Sequence, residues 1–213
     1  QCIGLGMDVQ FFNDQGHAEN DNKGELVCLQ AFPSMPTGFW NDLDGAKYHS
    51  AYFDRFPNIW AHGDYGEFKH HESQKGVIIH GRSDAVLNPG GVRIGTAEIY
   101  RQVEKIDSIF ESIAIGQQWN DDVRIVLFVR LKEDLILNQN LKDQIKSTIR
   151  TNTTPRHVPS KIIQVNDIPR TLSGKIVELA VRNIVHDKEV LNKEALANPE
   201  ALSLYKNLPE LKC

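Results

Sequence analysis

Residues 81–98 read Gly-Arg-Ser-Asp-Ala-Val-Leu-Asn-Pro-Gly-Gly-Val-Arg-Ile-Gly-Thr-Ala-Glu, and they constrain the fold more than any other stretch of the chain. They follow an apolar, strand-like run, Val77-Ile78-Ile79-His80. They precede Ile99, Val103, Ile106 and Phe110, which recur at helical spacing. Four glycines and a proline in between interrupt any regular element. Asn88-Pro89-Gly90-Gly91 allows positive φ and a close approach of backbone to a ligand. Arg82 and Arg93 can neutralise an anion such as phosphate. Asp84 sits where the chain changes composition, the expected place for a hinge.

The two sides of this segment differ. Before it, short strands alternate with loops: residues 7–12, then 25–29, then Ile59 to Asp64 ending in a turn, then Val77–His80. A short helix is expected near residues 46–56. After it the order is helix, strand, strand, helix, strand, helix. Thr96 is the expected N-cap of the first helix and Asn138 of the second, which carries Leu141, Ile145 and Ile149. The strands fall at Ser112–Gly116, Val123–Leu131 and Lys161–Val165, the first two joined by a turn at Asn120-Asp121. The third helix carries Ile176, Leu179, Ala180 and Ile184. The fold class expected is α+β: a β-rich subdomain over 1–83, a compact α+β domain over 84–186, and a polar, loosely packed tail over 187–213.

The net charge of −4 and the lack of a basic run with interleaved aromatics argue against a nucleic-acid surface. No apolar run is long enough to span a bilayer, so no membrane partner is expected. Cys2, Cys28 and Cys213 have no metal-ligand spacing and read as reduced thiols of a cytoplasmic protein. His70-His71-Glu72 lacks the spacing of a zinc site and is assigned, with His17, His49, His157 and His186, to solvent; no metal site is expected. The chain starts with Gln, and a C-terminal piece of a longer protein is expected.

Two further places can carry chemistry. Thr171-Leu172-Ser173-Gly174-Lys175 puts a mobile cation beside free backbone N–H groups, which suits an anion whose charge changes during reaction. Local sequence alone reads more readily as a glycine turn with a solvated lysine, and the first glycine of a P-loop is missing. Gly63-Asp64 at a strand end can accept two hydrogen bonds from a sugar diol, or be a turn aspartate.

Taken in order, four motifs resemble the C-terminal third of acyl-CoA synthetases of the adenylate-forming superfamily. They are Gly24-Glu25-Leu26, His62-Gly63-Asp64 (with His where the family has Thr), Gly81-Arg82-Ser83-Asp84, and Pro169-Arg170-Thr171-Leu172-Ser173-Gly174-Lys175. Residues 60–67 and 88–100 resemble the branch that activates acetoacetate. The resemblance implies roles residue by residue. Asp64 would hold ribose, Arg82 and Arg93 the nucleotide, and Asp84 the hinge. Gly90, Gly91 and Arg150 would meet coenzyme A, and Lys175 would join the attacking carboxylate to the phosphate. It implies ATP, coenzyme A and Mg²⁺, with acetoacetate as the acid; acetate or propionate is the alternative, and a free-standing nucleotide- or coenzyme A-binding regulatory module the rival from another class. It also implies a missing N-terminal domain that bears the phosphate loop, so that this chain alone would be inactive.

Overall fold

A computed structural model describes residues 1–19, 22–72 and 74–212. They form two compact units, Gln1–Asp84 and Ala85–Cys213.

The first unit is an antiparallel meander of β1 (Val9–Phe12), β2 (Gly24–Cys28), β3 (Trp60–His71) and β4 (Gln74–Arg82), hydrogen-bonded in chain order. Phe11, Phe68, Trp60 and Val77 fill its core, with Phe11 and Phe68 edge to face at 4.8 Å. Helix α1 (Ala46–Tyr52) leans on this sheet, where Tyr52 stacks on Trp60 at 3.7 Å. β3 does not stop at Gly63-Asp64 as the sequence suggests. It continues through a bulge at Tyr65/Gly66 to His71, so His70 and His71 belong to a strand and not to a loop. Gly66 makes the bulge possible, because a Cβ there would lie 2.6 Å from the Ile78 carbonyl oxygen.

The second unit is a three-stranded sheet covered on both faces. Its elements are α2 (Thr96–Val103), β5 (Ile109–Trp119), β6 (Asp122–Leu131), α3 (Gln139–Asn152), β7 (Lys161–Gln164) and α4 (Glu178–Val185). β5 and β6 are antiparallel, joined by a two-residue turn in which Asn120 and Asp121 both have positive φ, as a type I′ turn requires. β7 is parallel to β6, with α3 in the connection. Alternation along β6 sends Ile125, Leu127 and Val129 to one core and Val126 and Phe128 to the other. The first core takes Ile99 and Val103 of α2 and Ile145 and Ile149 of α3. The second takes Val181 and Ile184 of α4. Each such side chain contributes about 1.5–3 kcal/mol by leaving water.

Three further expectations need correction. Phe110 is an exposed residue of β5 and no part of α2, which ends at Val103; its helical spacing is a coincidence of register. Thr96 is the first residue of α2, and Gly95 precedes it as the cap, its N–H donating to Glu98 Oε1 at 3.0 Å. The segment after residue 186 is not a loose tail. Val190, Leu196, Leu202, Tyr205 and Leu211 are buried in the second core, and the Tyr205 ring meets Phe128 at 4.8 Å. The segment contains short 3₁₀ turns, too brief to repeat a hydrophobic period that would mark these residues as core.

Candidate functional site

In the first unit the candidate residues converge at the β3–β4 end. Asp64 of β3 pairs in register with Arg82 of β4, and their charged groups are 3.8 Å apart. Arg82 also reaches Asp84 at 3.4 Å. Gly63 has φ 83, and a Cβ there would come within 2.8 Å of the Arg82 guanidinium, so the glycine makes room for the arginine. The Gly63 N–H donates to Glu25 Oε1 at 2.7 Å, and Glu25, itself buried, is ion-paired with Arg55. The Gly-Glu-Leu strand thus anchors the peptide before Asp64. His62 adds a second partner. The Trp60 indole N–H, which can only donate, meets His62 Nδ1 at 3.2 Å. In the neutral ring Nε2 therefore carries the proton, and it faces Asp64 Oδ2 at 3.4 Å. Asp64, 25% exposed, borders a cavity of about 250 Å³ lined by Met7, Val9, Leu26, His62 and Ile79 among others.

In the second unit the glycine segment closes on itself. Leu87 and Ile94 exchange backbone hydrogen bonds at 2.9 and 2.8 Å, which leaves Gly90-Gly91 at the tip of the loop and Arg93 half-buried beside Ile94. Gly90 and Gly91 have φ 56 and 77. A Cβ on Gly90 would lie 2.9 Å from Arg156 Nη1, whereas nothing lies within 4 Å of one on Gly91. The Gly90 N–H donates to both oxygens of Asp122, at 3.0 and 3.1 Å. Hydrogen bonds from the Val123 and Gly90 N–H groups, helped by the Arg156 charge, hold the Asp122 carboxyl below the ordinary aspartate value. Arg150 stands on the exposed last turn of α3, a different element from the glycine loop.

Lys175 is exposed on a second loop, closed by a bridge between Arg170 and Ile176. The Thr171 N–H donates to the Lys175 carbonyl at 2.9 Å, and the Lys175 N–H donates to Thr171 Oγ1 at 3.1 Å. Gly174, with φ 83, makes the turn, its N–H donating to the Thr171 carbonyl at 2.8 Å. Residues 195–198 strap the loop from outside. The Leu172 N–H donates to the Ala195 carbonyl at 3.0 Å, and the Ala197 N–H donates to the Arg170 carbonyl at 2.8 Å. From the sheet side Arg170 is paired with Glu111.

A polar cavity of about 220 Å³ lies elsewhere in this unit, lined by Ala85, Asn88, Gln118, Glu178 and Arg182 among others. Glu178 accepts from the Tyr100 hydroxyl at 3.1 Å. Burial and the Glu178 charge push the Tyr100 hydroxyl well above its ordinary value, so it acts as a permanent donor.

Sequence reasoning named Glu25 only as a motif residue without a role, and missed Glu111, Asp122 and Arg156. A glutamate between Ile109 and Ile113 was a signal for Glu111; the others have none. Two histidines given to solvent are held by the fold. His157 is buried with Thr154 at 2.9 Å and Glu98 at 3.5 Å, and His186 Nε2 accepts from the Gln118 N–H at 3.0 Å. Among the described residues no group of three or more His, Cys, Asp or Glu is placed to hold a metal ion, and no helix is long and apolar enough to cross a membrane.

No protein-family model matches the chain. Acetoacetyl-coenzyme A synthetase of Rhizobium meliloti (strain 1021) is 63% identical over 212 residues, which cover 100% of this chain and 32% of that protein. The solved structure of acetoacetyl-CoA synthetase from Streptomyces lividans superposes with a TM-score of 0.89 at 41% identity, covering 100% of this chain and 32% of that one. In sequence and in fold the chain matches acetoacetyl-CoA synthetases over its whole length. The acetoacetyl-CoA synthetase of Danio rerio agrees, at 45% identity over 213 residues, 100% of this chain and 31% of that protein. The chain thus spans about a third of the length of the acetoacetyl-CoA synthetases it matches. A benzoate CoA ligase from Burkholderia xenovorans LB400 shares the fold, with a TM-score of 0.66 at 22% identity over 84% of this chain and 34% of that one.

Proposed function

We propose that this chain supplies the ribose-binding strand, the hinge and the lid of an AMP-forming acid–thiol ligase that acts on acetoacetate. The observation that carries the reading is the 63% identity with an acetoacetyl-CoA synthetase over the whole chain. In the whole enzyme, acetoacetate attacks the α-phosphate of ATP to give an acyl-adenylate and diphosphate. The coenzyme A thiol then displaces AMP. Asp64 is oriented by His62 and Arg82, and its carboxylate accepts hydrogen bonds from the ribose hydroxyls. Arg82 and Arg93 offset nucleotide charge, and Gly90, Gly91 and Arg150 meet coenzyme A.

Lys175 acts in the first step. Carboxylate and phosphate are both anions, and a cation between them offsets their repulsion as charge develops. Its exposure on a loop pinned at both ends suits a charge delivered to a substrate. Thiol attack on the mixed anhydride needs no such cation. Rotation about Asp84 would withdraw Lys175 and bring up the glycine loop, a hinge closure with two productive endpoints. Mg²⁺ belongs to the phosphates of the nucleotide substrate. Catalysis requires the phosphate loop and acyl pocket of the N-terminal domain, so the chain alone is expected to be inactive. Free Cys2 and Cys28 fit a reducing, cytoplasmic setting.

The test is turnover by the full-length protein of acetoacetate against acetate and propionate; preference for acetate or propionate overturns the substrate. For the role of Lys175, Lys175→Ala should lower acid-dependent ATP–diphosphate exchange by at least about 10²-fold and leave thioester formation from supplied acyl-adenylate intact. Equal loss of both steps refutes it.

A further inference from the structure

The hold on the lysine loop from the sheet side runs through one carboxylate. Glu111 lies in β5 with its side chain 8% exposed, where an unpaired charge would be costly. It is paired twice, with Arg130 of neighbouring β6 at 3.0 Å and with Nη2 of Arg170. The other terminal nitrogen of Arg170, Nη1, donates to the Gly174 carbonyl at 2.9 Å. That carbonyl belongs to the peptide joining Gly174 to Lys175. A guanidinium is a rigid planar fork, so fixing one end on Glu111 fixes the direction of the other. The peptide at the root of Lys175 is thereby oriented by a side chain 64 positions earlier in the chain.

We propose that Glu111, acting through Arg170, is a positioning residue that sets the direction from which Lys175 reaches its substrate. The proposal rests on the reading of Lys175 as the cation of adenylate formation. A lysine has several free rotors, so only its backbone root can be preset by the fold. Misplacing a catalytic group by about 1 Å costs on the order of 10²-fold in rate. Thioester formation does not use Lys175, so the defect should be confined to one half-reaction, which a general loss of stability would not produce.

The experiment compares Glu111→Gln, Arg170→Gln and Lys175→Ala in the full-length protein. Arg170→Gln leaves Glu111 paired with Arg130, so no buried charge is stranded. Both positioning variants are expected to lower kcat for acetoacetate-dependent ATP–diphosphate exchange by about 10- to 100-fold, with KM for ATP within about threefold. Thioester formation from supplied acyl-adenylate should stay within about twofold. Combined with Lys175→Ala, neither should lower exchange further. Equal loss of both half-reactions overturns the proposal, as does normal exchange by Arg170→Gln beside abolished exchange by Lys175→Ala. If Lys175→Ala alone exchanges normally, the role of Lys175 falls and this proposal with it; that single variant tells the two failures apart.

Discussion

The two loops of the second unit that carry the proposed chemistry are tied down in different ways. The Gly90-Gly91 loop is closed at its base by the Leu87–Ile94 bonds, and its tip is held by the carboxylate of Asp122, an exposed residue at the start of β6, and by Arg156 Nη1, which donates to the Gly90 carbonyl at 3.4 Å. The Lys175 loop is gripped from one side by a guanidinium seated on a buried carboxylate and from the other by backbone bonds to residues 195–198. The first tether is electrostatic and open to solvent. The second is largely packing, since the strap is anchored by Leu196 in the core. If the proposed roles hold, a loop that bends around a substrate is held at its tip by charge, and a loop that aims one side chain is held in a frame.

Removing the anchor of the strap should have the largest effect. Leu196→Ala is expected to cost about 2–4 kcal/mol in urea unfolding of the full-length protein, the range for a buried leucine. It should also speed exchange of the Leu172 amide, which donates to Ala195, while the Gly90 amide keeps its protection. Equal loosening of both loops would break the distinction. Next come the glycines. Gly90→Ala combines positive φ with a contact against Arg156 and should cost about 1–2 kcal/mol, whereas Gly91→Ala meets open space and should cost about 1 kcal/mol. Gly91→Ala costing more than Gly90→Ala would mean that the Arg156 contact is unimportant.

The smallest effect is a titration. A carboxylate held below its ordinary value, as Asp122 is, adds stability above the unfolded value of about 3.9. That stability is lost as pH falls through the lower folded value. In ¹⁵N-glycine spectra the Gly90 amide should therefore shift upfield only below about pH 4. The Leu172 amide, bonded to a carbonyl, should not move with it. A Gly90 shift centred above pH 5 would exclude Asp122 as its partner.

What could be read from the sequence divides along the same physical line. Helix α3 was legible because every signal agreed: Asn138 caps it, its Oδ1 accepting from Leu141 at 2.9 Å, and Leu141, Ile145 and Ile149 face the core. The motif residues were legible as types, and Asp64 and Arg82 do come together. The continuation of β3 past Asp64 was not, because a glycine in a bulge and a glycine in a turn look the same in a string of letters. The core role of Leu196, Leu202 and Tyr205 was hidden by the absence of period. The partners of Arg170 were hidden by distance along the chain: Glu111 lies 59 positions before it.

The strap has a consequence in time. Residues 195–198 leave the ribosome after Lys175 does, so a growing chain carries the complete lysine motif while only the Glu111–Arg170 side of its frame can form. A protease cut in the stretch between His186 and Asn192, followed by loss of the severed piece, would return the protein to that condition. Every motif would remain in place, and the Lys175 loop would have lost one of the two sides that hold it.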